Sequence, residues 1–192
     1  MVSVFDVETS GLGKQDRVVS IAAVFYDDTL ENLEFEFSSL IKPEGWFMAP
    51  PEWDANGKAK SASAVNGLTH EKLLDEGRPM LEVWNELKPW FDASHTIAGF
   101  NVSFDHRMLE QEAGHLGQLT IVPKRKTQCL MLPMAAAIGE PGQRGDFKWP
   151  KLGAAFKHCY GTDFIGAHDA LADVKATRDI WAMARFKNWV DF

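Results

Sequence analysis

The chain has 192 residues, 45% of them hydrophobic, with seven Trp and thirteen Phe, enough apolar material for the core of one α/β domain. A formal net charge of −7 argues against a surface that grips duplex nucleic acid by charge alone, but not against carboxylates gathered around cations. Cys129 and Cys159 are too few for a disulfide framework and read as thiols in a reducing cytosol; no segment reads as a secretory signal or is apolar enough to span a bilayer, so a cytoplasmic protein is expected.

Residues 2 to 8 are an apolar run that ends at Gly11 and Gly13 and predict a strand followed by a turn. Residues 18 to 27, rich in Val, Ile and aromatic types, predict a second strand. Residues 33 to 42 alternate through Leu33, Phe35 and Phe37 and predict a third strand with one wet face. Pro43 to about Ser63 carries Gly45, Pro50, Pro51 and Gly57 and reads as an irregular excursion. A helix is predicted over 78 to 92, with Leu81, Trp84, Leu87 and Phe91 at helical spacing and Pro89 expected to kink or end it. A short strand over 95 to 100 and a helix over 103 to 114 follow, with Ser103 as N-cap and Asp105 in the first turn. Helices are also predicted over 127 to 138 and 152 to 160, separated by a Gly-rich loop, and over 169 to 186 with Ala170, Val174, Thr177, Ile180 and Trp181 on the apolar stripe. The expected architecture is a mixed sheet flanked by helices, with no linker dividing the chain.

Chemistry concentrates in three separated segments, Asp6-Val7-Glu8-Thr9-Ser10-Gly11-Leu12, Asn101-Val102-Ser103-Phe104-Asp105 and His168 to Asp173. Strand alternation puts Asp6 and Glu8 on one face, roughly 6 to 7 Å apart, beside the apolar residues Val4, Phe5 and Val7. Two anions there repel each other and lose hydration, which protons or a hard divalent cation such as Mg²⁺ or Mn²⁺ would relieve. His168 and Asp173 would not share a helix face, so their convergence requires His168 in the turn before the last helix, with Asp169 as N-cap. A mobile imidazole beside a hydrated cation suits phosphodiester hydrolysis. Four carboxylates are enough for two cations about 4 Å apart, one activating water and one stabilising the leaving oxygen, with Asp6 as the bridge.

The pattern Asp-x-Glu-Thr-x-Gly-Leu, then Asn-x-x-Phe-Asp, then His-x4-Asp resembles the DEDDh branch of the DnaQ-like 3′-to-5′ exonucleases, in order from Val4 to about Ala176. The resemblance implies a ribonuclease-H-like sheet, Asp6, Glu8, Asp105 and Asp173 as ligands of two Mg²⁺ or Mn²⁺ ions, and His168 as general base. It implies that the backbone around Thr9, Gly11 and Leu12 receives the 3′-terminal nucleotide, with Leu12 and Phe104 packing on the end bases. Val65-Asn66-Gly67-Leu68-Thr69 resembles a segment bordering the nucleotide pocket, with Asn66 where the family often has His. The sister branch carries Tyr-x3-Asp, whereas Tyr160 and Asp163 stand at another offset, so His168 decides the branch.

Taken singly, each residue has a plainer reading. Asp105 can complement a helix dipole, His168 can cap a loop, Leu12 and Phe104 can pack, and Asn101 can cap a helix or touch a phosphate. The basic residues Lys124, Arg125, Lys126, Arg144, Lys148, Lys151 and Lys157 form either a solvated rim or a phosphate track. Thr9-Ser10-Gly11-Leu12 resembles the proofreading DNA exonucleases, including the epsilon-type polymerase subunit, more than the oligoribonucleases, where Met commonly follows the glutamate. The expected partner is nucleic acid with a free 3′ end, with a polymerase or repair partner as a further possibility. The alternatives are a 3′-to-5′ exoribonuclease resembling RNase T or oligoribonuclease, and a non-catalytic module that holds a nucleic-acid end.

Overall fold

In the computed structural model, which describes residues 1–117, 125–143 and 145–190, three strands open the chain: β1 (Val2–Thr9), β2 (Val18–Tyr26) and β3 (Leu33–Leu40). They pair antiparallel, with Val4 opposite Val24, Asp6 opposite Ala22 and Glu8 opposite Ser20. Two short helices, α1 (Ala62–Asn66) and α2 (His70–Glu76), and a longer one, α3 (Met80–Ala93), lead to β4 (Thr96–Gly99). Helix α4 (Val102–His115), strand β5 (Lys126–Cys129) and helices α5 (Met131–Ile138), α6 (Leu152–Tyr160) and α7 (Ala170–Phe186) complete the described elements. Strands β4 and β5 join parallel to β1, giving the sheet order β3-β2-β1-β4-β5, the mixed sheet that the sequence leads one to expect.

Alternation along β1 sorts its side chains between two cores. Phe5 and Val7 join Ile21, Phe25, Met80, Leu87, Phe91 and Met108 on the side of α3 and α4. Val2 and Val4 join Val24, Val174 and Trp181 on the side of α7. Asp6 and Glu8 continue the row of Val2 and Val4 at the carboxyl end of β1, so they face the α7 side. The crevice beyond the carboxyl ends of parallel strands, where neighbouring connections diverge, is where open α/β sheets bind ligands.

Two expectations are corrected, at residues 126 to 129 and at the N-cap of α4. Helix α3 spans the predicted segment and runs past Pro89 to Ala93, because the carbonyl that loses its donor belongs to solvent-exposed Asn85 and the last turn is clamped by aromatic contacts. Trp90 stacks on Phe35 at 4.3 Å, and Phe91 meets Phe25 and Phe5 at 5.3 and 5.6 Å. Residues 126 to 129, expected to begin a helix, pair with β4 as an edge strand; Lys126, Thr127 and Gln128 are polar and carry no apolar alternation, so the pairing is dictated by β4. Asn101, not Ser103, occupies the N-cap of α4, at φ 66°, a left-handed conformation that Asn tolerates better than most residues.

One buried ion pair fixes the loop between β1 and β2. Arg17 donates to both oxygens of Glu112 at 2.7 and 2.8 Å, and the Val18 N–H donates to Glu112 Oε1 at 2.9 Å. Glu112 is 1% exposed, so removing either partner would strand a buried charge, at a cost of about 3–5 kcal/mol. The Arg17 guanidinium also lies 5.5 Å from the Trp46 ring. The irregular excursion after β3 is thereby tied to the loop that borders the site.

Candidate active site

Three elements deliver the four acidic residues to one place. β1 supplies Asp6 and Glu8, the first turn of α4 supplies Asp105, and the first turn of α7 supplies Asp173. The buried Asp105 is held there by the Val7 N–H, which donates to its Oδ1 at 3.1 Å. Asp169 caps α7, accepting from the Ala172 N–H at 3.0 Å, as expected from the sequence. His168 immediately precedes that cap at φ 71°, a strained conformation for a non-glycine residue and of the kind that clusters at functional sites. Its ring is solvent-exposed, and one ligand atom each from Glu8, His168 and Asp173 lie within 4.8 Å of one another.

The cluster stores electrostatic cost. Loss of hydration, then the charges of Asp105, Glu8 and Asp173, push the Asp6 carboxyl well above the usual carboxylate range. Glu8 is pushed up to about 8, first by loss of hydration and then by Asp173, against a hydrogen bond from the Asn66 amide. Burial raises Asp105 to about 7, opposed by the Val7 N–H. Asp173 rises to about 6 through burial, opposed by a hydrogen bond from the His168 backbone. Such elevation of several clustered carboxyl groups marks a site suited to protons or cations. The residues fit a hard divalent ion: the donors are carboxylate oxygens, and the buried Asp173 Oδ1 has no hydrogen-bond partner among the described residues, an orphan acceptor of the kind a cation satisfies.

Beside the carboxylates a cavity of about 490 Å³ is lined by Glu8, Thr9, Gly11, Leu12, Asn66 and Phe104, with Lys60 and Val65 on its far wall. Four of the five sequence-predicted substrate residues thus share one pocket. Asn101 lies outside it, in a neighbouring cavity with Ser103 and His106. Leu12 is 75% exposed, so it contributes little to the core and is free to meet a ligand. The Thr9 hydroxyl donates to the Gly11 carbonyl at 2.8 Å, which fixes the turn instead of offering a free donor. Gly11 has its own folding reason: a Cβ there would lie 2.5 Å from the Asp16 carboxylate, which takes the Ser10 hydroxyl and the Gly13 N–H.

Asn66 is more consequential than its sequence context suggested. Its amide donates to the Thr9 carbonyl at 3.2 Å and also bonds the Glu8 carboxylate, so it orients the β1 end. Ser61 caps α1 through the Ala64 N–H, and Gly67 closes it at φ 71°, which sets Asn66 on the last turn facing β1. Of the basic residues singled out from sequence, Lys148, Lys151 and Lys157 line a cavity that also contains His168 and Asp173. Arg125 instead bonds the Asp92 carbonyl at 2.6 Å. Lys124 and Arg144 lie outside the described residues.

A family model described as an exonuclease, RNase_T, matches residues 3–181. The uncharacterized exonuclease CP81 of Escherichia phage 186 is 27% identical over 186 residues, 91% of this chain and 83% of its own. Among solved structures, Escherichia coli exonuclease I in complex with a dA16 oligonucleotide superposes with a TM-score of 0.76 at 19% identity over 96% of this chain. The zinc-bound form of the E. coli exonuclease I–ssDNA complex gives 0.76 at 20% identity over 97%. This chain spans 40% of the length of those two chains, and the similarity to them is one of fold.

Proposed function

The chain belongs to the RNase_T exonuclease family, and from that premise we propose that it is a metal-dependent 3′-to-5′ exonuclease of the DEDDh type. Its substrate is a single-stranded or frayed DNA end, its products are nucleoside 5′-monophosphates, and the whole chain acts as one exonuclease domain. The observation that carries this reading is the convergence of ligand atoms of Glu8, His168 and Asp173 within 4.8 Å of one another, with the charges of Asp105, Glu8 and Asp173 close enough to raise the proton affinity of Asp6. A partly apolar pocket of nucleotide size beside them supports it.

Two Mg²⁺ or Mn²⁺ ions would be held by Asp6, Glu8, Asp105 and Asp173, and when bound would lower the pKa of the attacking water and stabilise the departing oxygen. The chain's own residues do the rest. Leu12 and Phe104 form the apolar walls that receive the terminal base, and the turn at Thr9 and Gly11 receives its sugar. Asn66 steadies the Glu8 carboxylate. His168, exposed on its strained turn, accepts the proton of the attacking water at a ring nitrogen and passes it to solvent. A cytoplasmic enzyme is proposed, the two free thiols being compatible with a reducing compartment.

The test is a 5′-labelled single-stranded DNA, with matched RNA in parallel, incubated with Mg²⁺ or Mn²⁺ and with chelator. The expected result is a ladder of labelled DNA products shortening from the 3′ end, nucleoside 5′-monophosphates in solution, and no cleavage under chelator. Immediate release of the 5′ label would refute the direction. Faster shortening of RNA would reassign the substrate, and intact oligonucleotide retained by the protein would make it a binding module.

A further inference from the structure

We infer that Trp149 is a stacking platform for the nucleotides on the 5′ side of the scissile bond, with Lys148, Lys151 and Lys157 following their phosphates. The inference rests on the exonuclease reading and extends it from the terminal nucleotide to the strand behind it. The catalytic cluster sits between cavities: Glu8 lines the terminal-nucleotide pocket, whereas His168 and Asp173 line a second cavity of about 770 Å³. Since these three side chains lie within 4.8 Å of one another, a strand with its last nucleotide in the first pocket and its phosphodiester at the carboxylates enters the second.

Trp149 lines that second cavity and two others, of about 390 and 430 Å³. It is 63% exposed, although burying so large a ring is ordinarily favourable. A short hairpin presents it: the Lys148 N–H donates to the Glu140 carbonyl at 2.9 Å and the Gly142 N–H to the Asp146 carbonyl at 2.8 Å. The occupant's chemistry follows from the rim. Among the described residues, Lys148 and Lys157 make exposed pairs with Glu140 at 2.7 Å and Asp163 at 3.1 Å. Such surface pairs are worth about 0–1 kcal/mol and exchange readily for phosphate. Lys151 has no ion pair among the described residues. A groove that combines lysines with an aromatic face is how sequence-tolerant single-strand binding is built, and this one gathers three lysines in a chain whose net charge is −7.

The test compares Trp149→Ala and Trp149→Phe on two substrates. One is a single-stranded DNA of about twelve nucleotides; the other is the p-nitrophenyl ester of thymidine 5′-monophosphate, which fills the terminal pocket alone. Trp149→Ala is expected to raise KM on the long strand roughly tenfold or more, with kcat little changed, to leave the small ester unaffected, and to be rescued by Trp149→Phe. Anisotropy binding of the same strand with Ca²⁺ should show the same loss, and Lys151→Ala should lower the salt slope by about 0.7. A wild-type enzyme that hydrolyses both substrates, with Trp149→Ala within twofold on the long strand, overturns the inference and leaves the exonuclease reading intact. A wild type that neither cleaves nor binds either substrate overturns both.

Discussion

Replacing Asp6 by asparagine is expected to lower the rate of 3′-end hydrolysis by at least about a thousandfold while the protein stays folded. The substitution keeps the shape of the side chain and removes one charge from the carboxylate cluster that would hold the ions. Its effect on stability runs the other way. Because Asp6 holds its proton well above the usual carboxylate range, the fold disfavours its ionised form, so an amide there stabilises the metal-free protein at neutral pH. A melting temperature equal to or above wild type, combined with lost activity, separates a chemical role from a structural one. Wild-type activity in Asp6→Asn would remove the residue from the mechanism, and an unfolded variant would make its role structural.

The second large effect is at His168. His168→Ala is expected to reduce kcat about 10²- to 10⁴-fold, the usual worth of a general base, and to leave Mn²⁺ binding within a few fold of wild type. The imidazole lies close enough to Glu8 and Asp173 to be read as a ligand, so the two measurements must be made together. Loss of Mn²⁺ binding in the variant would assign the ring to the metal. At limiting metal, the wild-type rate should rise with pH as protons leave Asp173, Asp105 and Glu8 near 6, 7 and 8 and free the carboxylates for the ion. Saturating Mn²⁺ removes that contribution.

Period-two alternation placed Asp6 and Glu8 on one face, and that face is where the structure has them because the odd residues of β1 are claimed by the α3 and α4 core. The cap at Asp169 and the turn at His168 were equally legible, since N-cap chemistry is local. Other features depend on partners distant in sequence. Strand β5 exists because β4 offers an edge, and α3 outlasts Pro89 because Phe25 and Phe35 hold its last turn. Asn66 gained a role only when folding brought it against Thr9. Trp149 went unnoticed because its segment, Phe147-Lys148-Trp149-Pro150-Lys151, has neither helical nor strand periodicity; exposure singled it out.

The central claim is that four carboxylates from three elements form one divalent-ion site, and titration of Mn²⁺ into the metal-free protein tests it most directly. Calorimetry at pH 7 in buffers of different ionisation enthalpy is expected to show two ions bound per chain with net release of protons. The sign follows from the raised carboxyl groups: the metal-free fold holds protons that the unfolded chain sheds from about pH 4 upward, and the ions displace them. Its stability should therefore fall as pH rises toward about 8, the value of Glu8, and Mn²⁺ should restore it. Affinity should weaken at least about tenfold in Asp6→Asn and in Asp173→Asn. No Mn²⁺ bound by the wild type, or binding unchanged by both substitutions, would contradict the account.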